Sequence, residues 1–250
     1  MRFAINKALQ GSLRKLYWRQ GQKVLLATQQ PIIDLASDVE PDALKARVRL
    51  LMKPDKMSEY LTELWVRTGS IFAVDIIKRM ERIPKKQETS IDFWEDHYRI
   101  YTRERSALIA GEILDTQAVV VNNIIDDLLK EGMERGIGIP EIQRQMRNDL
   151  AEGLTQINRY QAERIARTEV IGASNTGSFE GATEMGFETM KKAWLTSGLA
   201  GMRDSHMAYE QLGAVAMNYE YAPGLQYPGD PSGSPEEIVN CRCTQVYEVD

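Results

Sequence analysis

Apolar residues recur at three- and four-residue spacing through the first 185 positions, and only beyond them does the period shorten toward two. In residues 3–30, Ile5, Leu9, Leu13, Leu16, Tyr17 and Val24 share a stripe, which predicts an amphipathic helix stopped by Pro31. Pro41 suits a first helical position, and Leu44, Val48 and Leu51 follow on one face of a short helix that Pro54 ends. A third helix is expected from Ser58 to Pro84, with Leu61, Leu64, Trp65, Phe72, Ile76 and Met80 inward, and then a polar loop over 85–90. Ser90 is placed to cap a fourth helix, with Asp92 in its first turn and Trp94, Tyr98 and Tyr101 on one side. His97 lies among these aromatics and reads as a packing or hydrogen-bonding residue. The stripe runs on past Gly111, a candidate kink, through Ile113, Ala118, Val121, Ile125 and Leu129. No strand is expected in this half.

Gly132, Gly136 and Gly138 punctuate the chain and place a domain boundary there, dividing it into residues 1–133 and 134–250. Pro140 opens a helix carrying Ile142, Met146 and Leu150, and a second, longer helix is expected from Ile157 to Met185. Ala173, Gly177 and Gly181 leave a smooth strip on it, where another element can approach closely. Each interior glycine costs roughly 1 kcal/mol, so Gly172, Gly177 and Gly181 call for a packing reason. Alternation over 190–196 predicts a strand holding Trp194. A glycine-rich turn, a helix from Arg203 to Leu212 ended by Gly213, a hairpin strand over 214–221, an irregular loop over 223–235, a helical turn over 236–240 and a closing strand from Cys241 to Val249 follow. The fold class is therefore α+β: a mainly helical N-terminal half, then a small α+β domain with a long glycine-faced helix and a short antiparallel sheet.

Composition adds little until charge is taken by position. The apolar share of 43% and charged share of 27% are those of a globular chain. No run approaches the ~18–20 apolar residues of a membrane span, and no apolar stretch follows Arg2 as in a secretory leader, so no membrane partner is expected. The net charge of -5 conceals an asymmetry. Arg2, Lys7, Arg14, Lys15, Arg19 and Lys23 stand in the first thirty residues without an acid, whereas Asp204 to Asp250 sets eight acids against Arg242. The basic end is suited to phosphate or to an acidic protein surface.

Two cysteines two residues apart are not a disulfide framework. With His206, Cys241 and Cys243 make three soft-metal ligands, one short of a closed tetrahedral zinc site; Asp204 and His97 are the candidates for the fourth. The same residues allow a thiol- or metal-dependent enzyme, with Arg242 lending positive charge. The competing reading is two buried cysteines beside a hydrogen-bonded histidine. Glu169, on the inward stripe of the long helix, reads as a structural carboxylate more readily than a catalytic one. No Walker or dinucleotide-type glycine loop occurs.

The order of several pieces carries a resemblance. Arg164-Ile165-Ala166-Arg167-Thr168-Glu169, Trp194, Arg203 with His206, Leu212-Gly213, Asp230-Pro231 with Pro235, and Asn240-Cys241-Arg242-Cys243 together resemble the phage Mu F-type head morphogenesis domain over roughly residues 135–250. The resemblance implies a minor head protein, not an enzyme, found in a few copies inside the head at the portal vertex and formed in the host cytoplasm. It implies the portal protein and capsid or scaffold components as partners, phage DNA as a further one, and a part in DNA packaging or delivery. The quoted motif residues are then expected to fix the fold. No cofactor is called for, with zinc on His206, Cys241 and Cys243 as the alternative. Because the sequence ends seven residues after Cys243, the fused C-terminal toxin or enzyme modules of longer relatives are expected to be absent.

Overall fold

A computed structural model describes residues 1–80 and 90–249. Pro84 and residues 85–89, expected to end a helix and form a loop, lie outside them. In chain order the elements are β1 (Arg2–Ala4), α1 (Lys7–Leu35), α2 (Pro41–Lys45), α3 (Val48–Leu51), α4 (Asp55–Met80), α5 (Ile91–Glu134), α6 (Ile139–Glu184), β2 (Lys191–Leu195), α7 (Asp204–Gln211), β3 (Val215–Ala216), α8 (Pro235–Ile238) and β4 (Thr244–Glu248). The mainly helical α+β class is thus as the periodicities predict. Among the described residues the sheet has four strands, all antiparallel, in the order β1-β4-β2-β3.

Several elements depart from expectation. Pro31 lies inside α1 and does not stop it. An interior proline costs about 3 kcal/mol. Ile32 and Ile33 beyond it are buried, and each contributes roughly 2–3 kcal/mol by leaving water, enough to carry the helix through. The predicted short helix is two, α2 and α3, separated at Ala46 and Arg47. Gly111 does not interrupt α5. The two helices expected within 140–185 are one, α6, of 46 residues; Leu154, in the presumed gap, is buried and keeps the stripe unbroken. The hairpin strand over 214–221 is reduced to β3. β1 was unforeseen, since three residues show no period; it exists because it pairs with β4, Phe3 opposite Tyr247.

The chain forms two compact units made of alternating segments: Met1–Trp18, Thr62–Thr102 and Arg164–Asp250 in the first, Arg19–Leu61 and Arg103–Glu163 in the second. The glycine segment at 132–138 is the turn between α5 and α6, within the second unit. Gly136 takes the left-handed conformation (φ 69°), and Ile137 N–H donates to the Gly132 carbonyl at 2.8 Å, closing α5.

The second unit is helical. Its core joins Ile32, Ile33, Leu44, Val48 and Met52 with Leu114, Val121 and Ile125 of α5 and Ile142, Met146, Leu150 and Leu154 of α6. Gln29 donates to Gln117 Oε1 (2.9 Å) and accepts from Asn158 Nδ2 (2.8 Å), so these buried amides hydrogen-bond in a chain. By length and composition α5 is long and apolar enough to cross a membrane, contrary to the expectation from the sequence. Its apolar stripe of Leu114, Ala118, Val121 and Ile125 lies in this protein core.

The first unit holds the sheet. Val66, Ala73, Ile76 and Met80 of α4, Trp94 and Tyr98 of α5, and Ala182 of α6 pack with Tyr247 and Val249. The glycine strip of α6 has its packing reason: a Cβ on Gly177 would lie 2.2 Å from the Gly69 carbonyl oxygen, and one on Gly181 2.7 Å from that of Ala73. His97 is surrounded by Phe93, Trp94 and Tyr98 and pairs with Glu180 at 3.3 Å, the packing role expected of it.

Candidate metal centre and basic cavity

Three elements of the first unit bring His206, Cys241 and Cys243 together. His206 stands on α7, which Thr196 ties to the end of β2 by donating its backbone N–H (2.9 Å) and its hydroxyl (2.7 Å) to Glu210. Cys241 and Cys243 lie in the turn ahead of β4, not on the closing strand as expected. Their alternation survives: both are buried and Arg242 between them is exposed. The three ligand atoms lie within 4.8 Å of one another and all three residues are buried.

His206 Nδ1 is 3.4 Å from Cys243 Sγ and 3.8 Å from Cys241 Sγ, while Nε2 is 2.8 Å from Glu237 Oε2. Glu237 also accepts from the Ser205 hydroxyl at 3.2 Å. The Cys243 N–H points to Cys241 Sγ at 3.4 Å. Trp194 stacks obliquely on His206, with centroids 4.9 Å apart, and Tyr209 and Tyr221 close around it. The hydrogen bond from Cys241 pulls the Cys243 thiol down to about 5, helped by His206 and by the Trp194 indole and opposed by burial. The Cys241 thiol is pushed up, by that same hydrogen bond first and by burial second. Neither proposed fourth ligand is here: Asp204 is exposed at the start of α7, and His97 belongs to the Glu180 cluster.

The Arg164–Glu169 motif supports the turn that carries the cysteines. Thr168 Oγ1 accepts the Asn240 N–H at 2.9 Å, Arg167 donates to Asn240 Oδ1, and Asn240 sits at φ 61°, a region asparagine tolerates. Arg203 Nη2 donates to the Val239 carbonyl at 2.7 Å, holding the residue before it. Glu169 is buried and accepts from Trp65 Nε1 at 2.7 Å, the structural use expected of it. Arg164 is exposed on α6. Asp230, in the Asp-Pro piece, accepts from the N–H groups of Gln226 (2.9 Å) and Ser232 (3.0 Å) and fixes the long loop.

A cavity of about 440 Å³ opens on the cluster, lined by Ser197, Gly201 and Arg203 as well as its three residues. A second, of about 220 Å³, shares Ser197 and Arg242 with it and is lined by Lys7, Arg14, Arg167 and Arg242, with no carboxylate in its wall. Of the six basic residues singled out near the start of the chain, Lys7 and Arg14 thus meet in one place. Arg2 pairs instead with Glu248 at 3.5 Å, Lys15 is exposed, and Arg19 and Lys23 are exposed in the second unit. Sequence reasoning missed Glu237, because nothing in a spacing of 31 residues links it to His206. It also missed Asn175, whose side chain donates to the carbonyls of Pro228 (2.8 Å) and Cys243 (3.2 Å) and joins loop to turn.

Residues 123–246 match the family model described as Phage Mu protein F like protein. The chain is 27% identical over 136 residues to the uncharacterized protein YqbB of Bacillus subtilis (strain 168), a match covering 52% of this chain and 42% of the relative. The chain therefore spans less than half the length of that curated relative. No solved structure matches the chain.

Proposed function

Because residues 123–246 of the chain belong to the phage Mu protein F-like family, a family of phage head morphogenesis, we propose that this phage head protein is a minor capsid component bound at the portal vertex. It acts there in head assembly and in DNA packaging or delivery, and it does so without catalysis. Its partners are the portal protein and capsid or scaffold components, with phage DNA in contact through basic side chains. It is made in the host cytoplasm and enters the head.

The family match carries this reading, and the basic cavity supports its last part. Four cationic side chains converge in a chain of net charge -5, a local reversal suited to phosphate or to an acidic protein surface. Coexpression with the portal protein of the same phage tests the assignment. The protein is expected to purify with portal rings at moderate salt and to appear at the portal vertex in a procapsid reconstruction. Free protein throughout, and no density at that vertex, would overturn it. A gel shift tests the DNA contact. Arg14→Glu with Arg242→Glu should abolish the shift, and wild-type affinity should fall steeply with salt; an unchanged shift removes that contact.

A further inference from the structure

The family reading leaves the His206, Cys241 and Cys243 cluster without a task, and its geometry is specific. A zinc ion with Zn–S near 2.3 Å and Zn–N near 2.0 Å in tetrahedral array holds its nitrogen and sulfur ligands roughly 3.5 Å apart. The distances from His206 Nδ1 to the two sulfurs are 3.4 and 3.8 Å. We propose that Cys241 Sγ, Cys243 Sγ and His206 Nδ1 bind one zinc ion, that Glu237 orients the imidazole from behind, and that solvent in the adjoining cavity completes the coordination.

Four observations support the assignment. The Glu237 carboxylate accepts the proton of Nε2, which fixes the tautomer whose Nδ1 lone pair faces the sulfurs; metal-bound histidines are ordinarily held this way. Ser205 in turn holds Glu237. The Cys243 N–H donates to Cys241 Sγ and stabilises negative sulfur there, and the buried indole N–H of Trp194, whose ring packs on His206, has no hydrogen-bond partner. The cavity of about 440 Å³ reaches all three ligands, so water has access to the remaining position. The site ties the turn before β4 to α7, two segments otherwise joined near their ends by Arg203 and the Val239 carbonyl. Its role in this fold is a clamp, and the open position gives an incoming carboxylate or imidazole of a partner protein a place to bind.

The full chain, purified under reducing conditions without chelators, is expected to contain about one zinc per molecule by elemental analysis. Cobalt exchange should give visible bands of a tetrahedral ion and a near-ultraviolet thiolate charge-transfer band. Glu237→Gln should keep the stoichiometry under saturating metal but weaken affinity 10- to 100-fold in competition with a chelating dye. Cys243→Ser should lose the charge-transfer intensity of one sulfur; if it does not fold, wild type and Glu237→Gln decide alone. Azide should perturb the cobalt spectrum at the solvent position. A folded wild-type protein with less than about a tenth of an equivalent of zinc and no cobalt–thiolate band would overturn the site. A cobalt spectrum insensitive to azide would overturn the open position. Neither outcome bears on whether the protein joins the portal, which the coexpression test reads separately.

Discussion

Gly177 of α6 lies against Gly69 of α4 so closely that a Cβ on residue 177 would stand 2.2 Å from the Gly69 carbonyl oxygen. The obstacle is backbone, which cannot step aside as a side chain does. Gly177→Ala is therefore expected to destabilise the protein by about 3 kcal/mol or more, by forcing two helices apart. Gly111→Ala is the control: nothing lies within 4 Å of its added methyl, and the gain in helix propensity should stabilise by roughly 0.5–1 kcal/mol. Urea denaturation of both variants checks the pair of opposite signs.

Trp65 and Glu169 are joined by a 2.7 Å hydrogen bond between buried groups. Trp65→Phe keeps an aromatic ring but removes the donor to a carboxylate. The expected cost is about 1.5–3 kcal/mol, since a charge-assisted bond is lost where water does not readily replace it. Glu169→Gln restores a neutral acceptor and should cost less than Trp65→Phe. Equal losses in chemical denaturation would argue against a charged acceptor.

The Thr168–Asn240 contact offers a local test of the motif. Thr168→Val preserves shape but removes the hydroxyl that receives the Asn240 N–H, and is expected to cost about 1 kcal/mol. Asn240→Ala should cost a similar amount through its left-handed backbone, whereas Asn240→Gly spares the backbone and loses only the Arg167 contact. Thermal unfolding should rank glycine above alanine at this position.

Lys192 supplies a pH-dependent prediction. It is 1% exposed, its ammonium sits 5.0 Å from the Phe179 ring centroid, and burial lowers it from 10.5 to about 8 against the pull of Asp230 and Glu220. Between those two values the unfolded chain binds more protons than the folded one, so this group makes stability rise with pH through that window. Below about 8 both states are protonated and the full penalty applies. Lys192→Met should stabilise the protein at pH 7 by ~1–2 kcal/mol, the lost cation–π contact offsetting part of the gain. That advantage should shrink as pH approaches 10, as urea titrations at the two pH values will report.

The strength of a periodic signal decided how much of the fold was legible. Long amphipathic runs announced α4 and α5, with Ser90 accepting from the Phe93 N–H at 3.3 Å as a cap should. Trp194 in an alternating run announced β2. Pro31 and the residues around Leu154 were misleading because local propensity is worth one to a few kcal/mol, and burial of Ile32, Ile33 and Leu154 outweighs it. β1 was illegible because three residues have no period.

By itself the sequence determined which residue types were scarce and where they stood: two cysteines, two histidines, a glycine strip, and an order of motifs that resembles a family. These are properties of local pattern, and a helix or strand period reads them directly. Only the tertiary structure decided that Thr168 and Arg167 hold Asn240, that Glu237 backs His206, and that Lys7 and Arg14 meet Arg167 and Arg242. Those contacts join segments 31 to more than 200 residues apart. No spacing rule spans such distances; the packing of α6 against the sheet and loops brings the groups into reach.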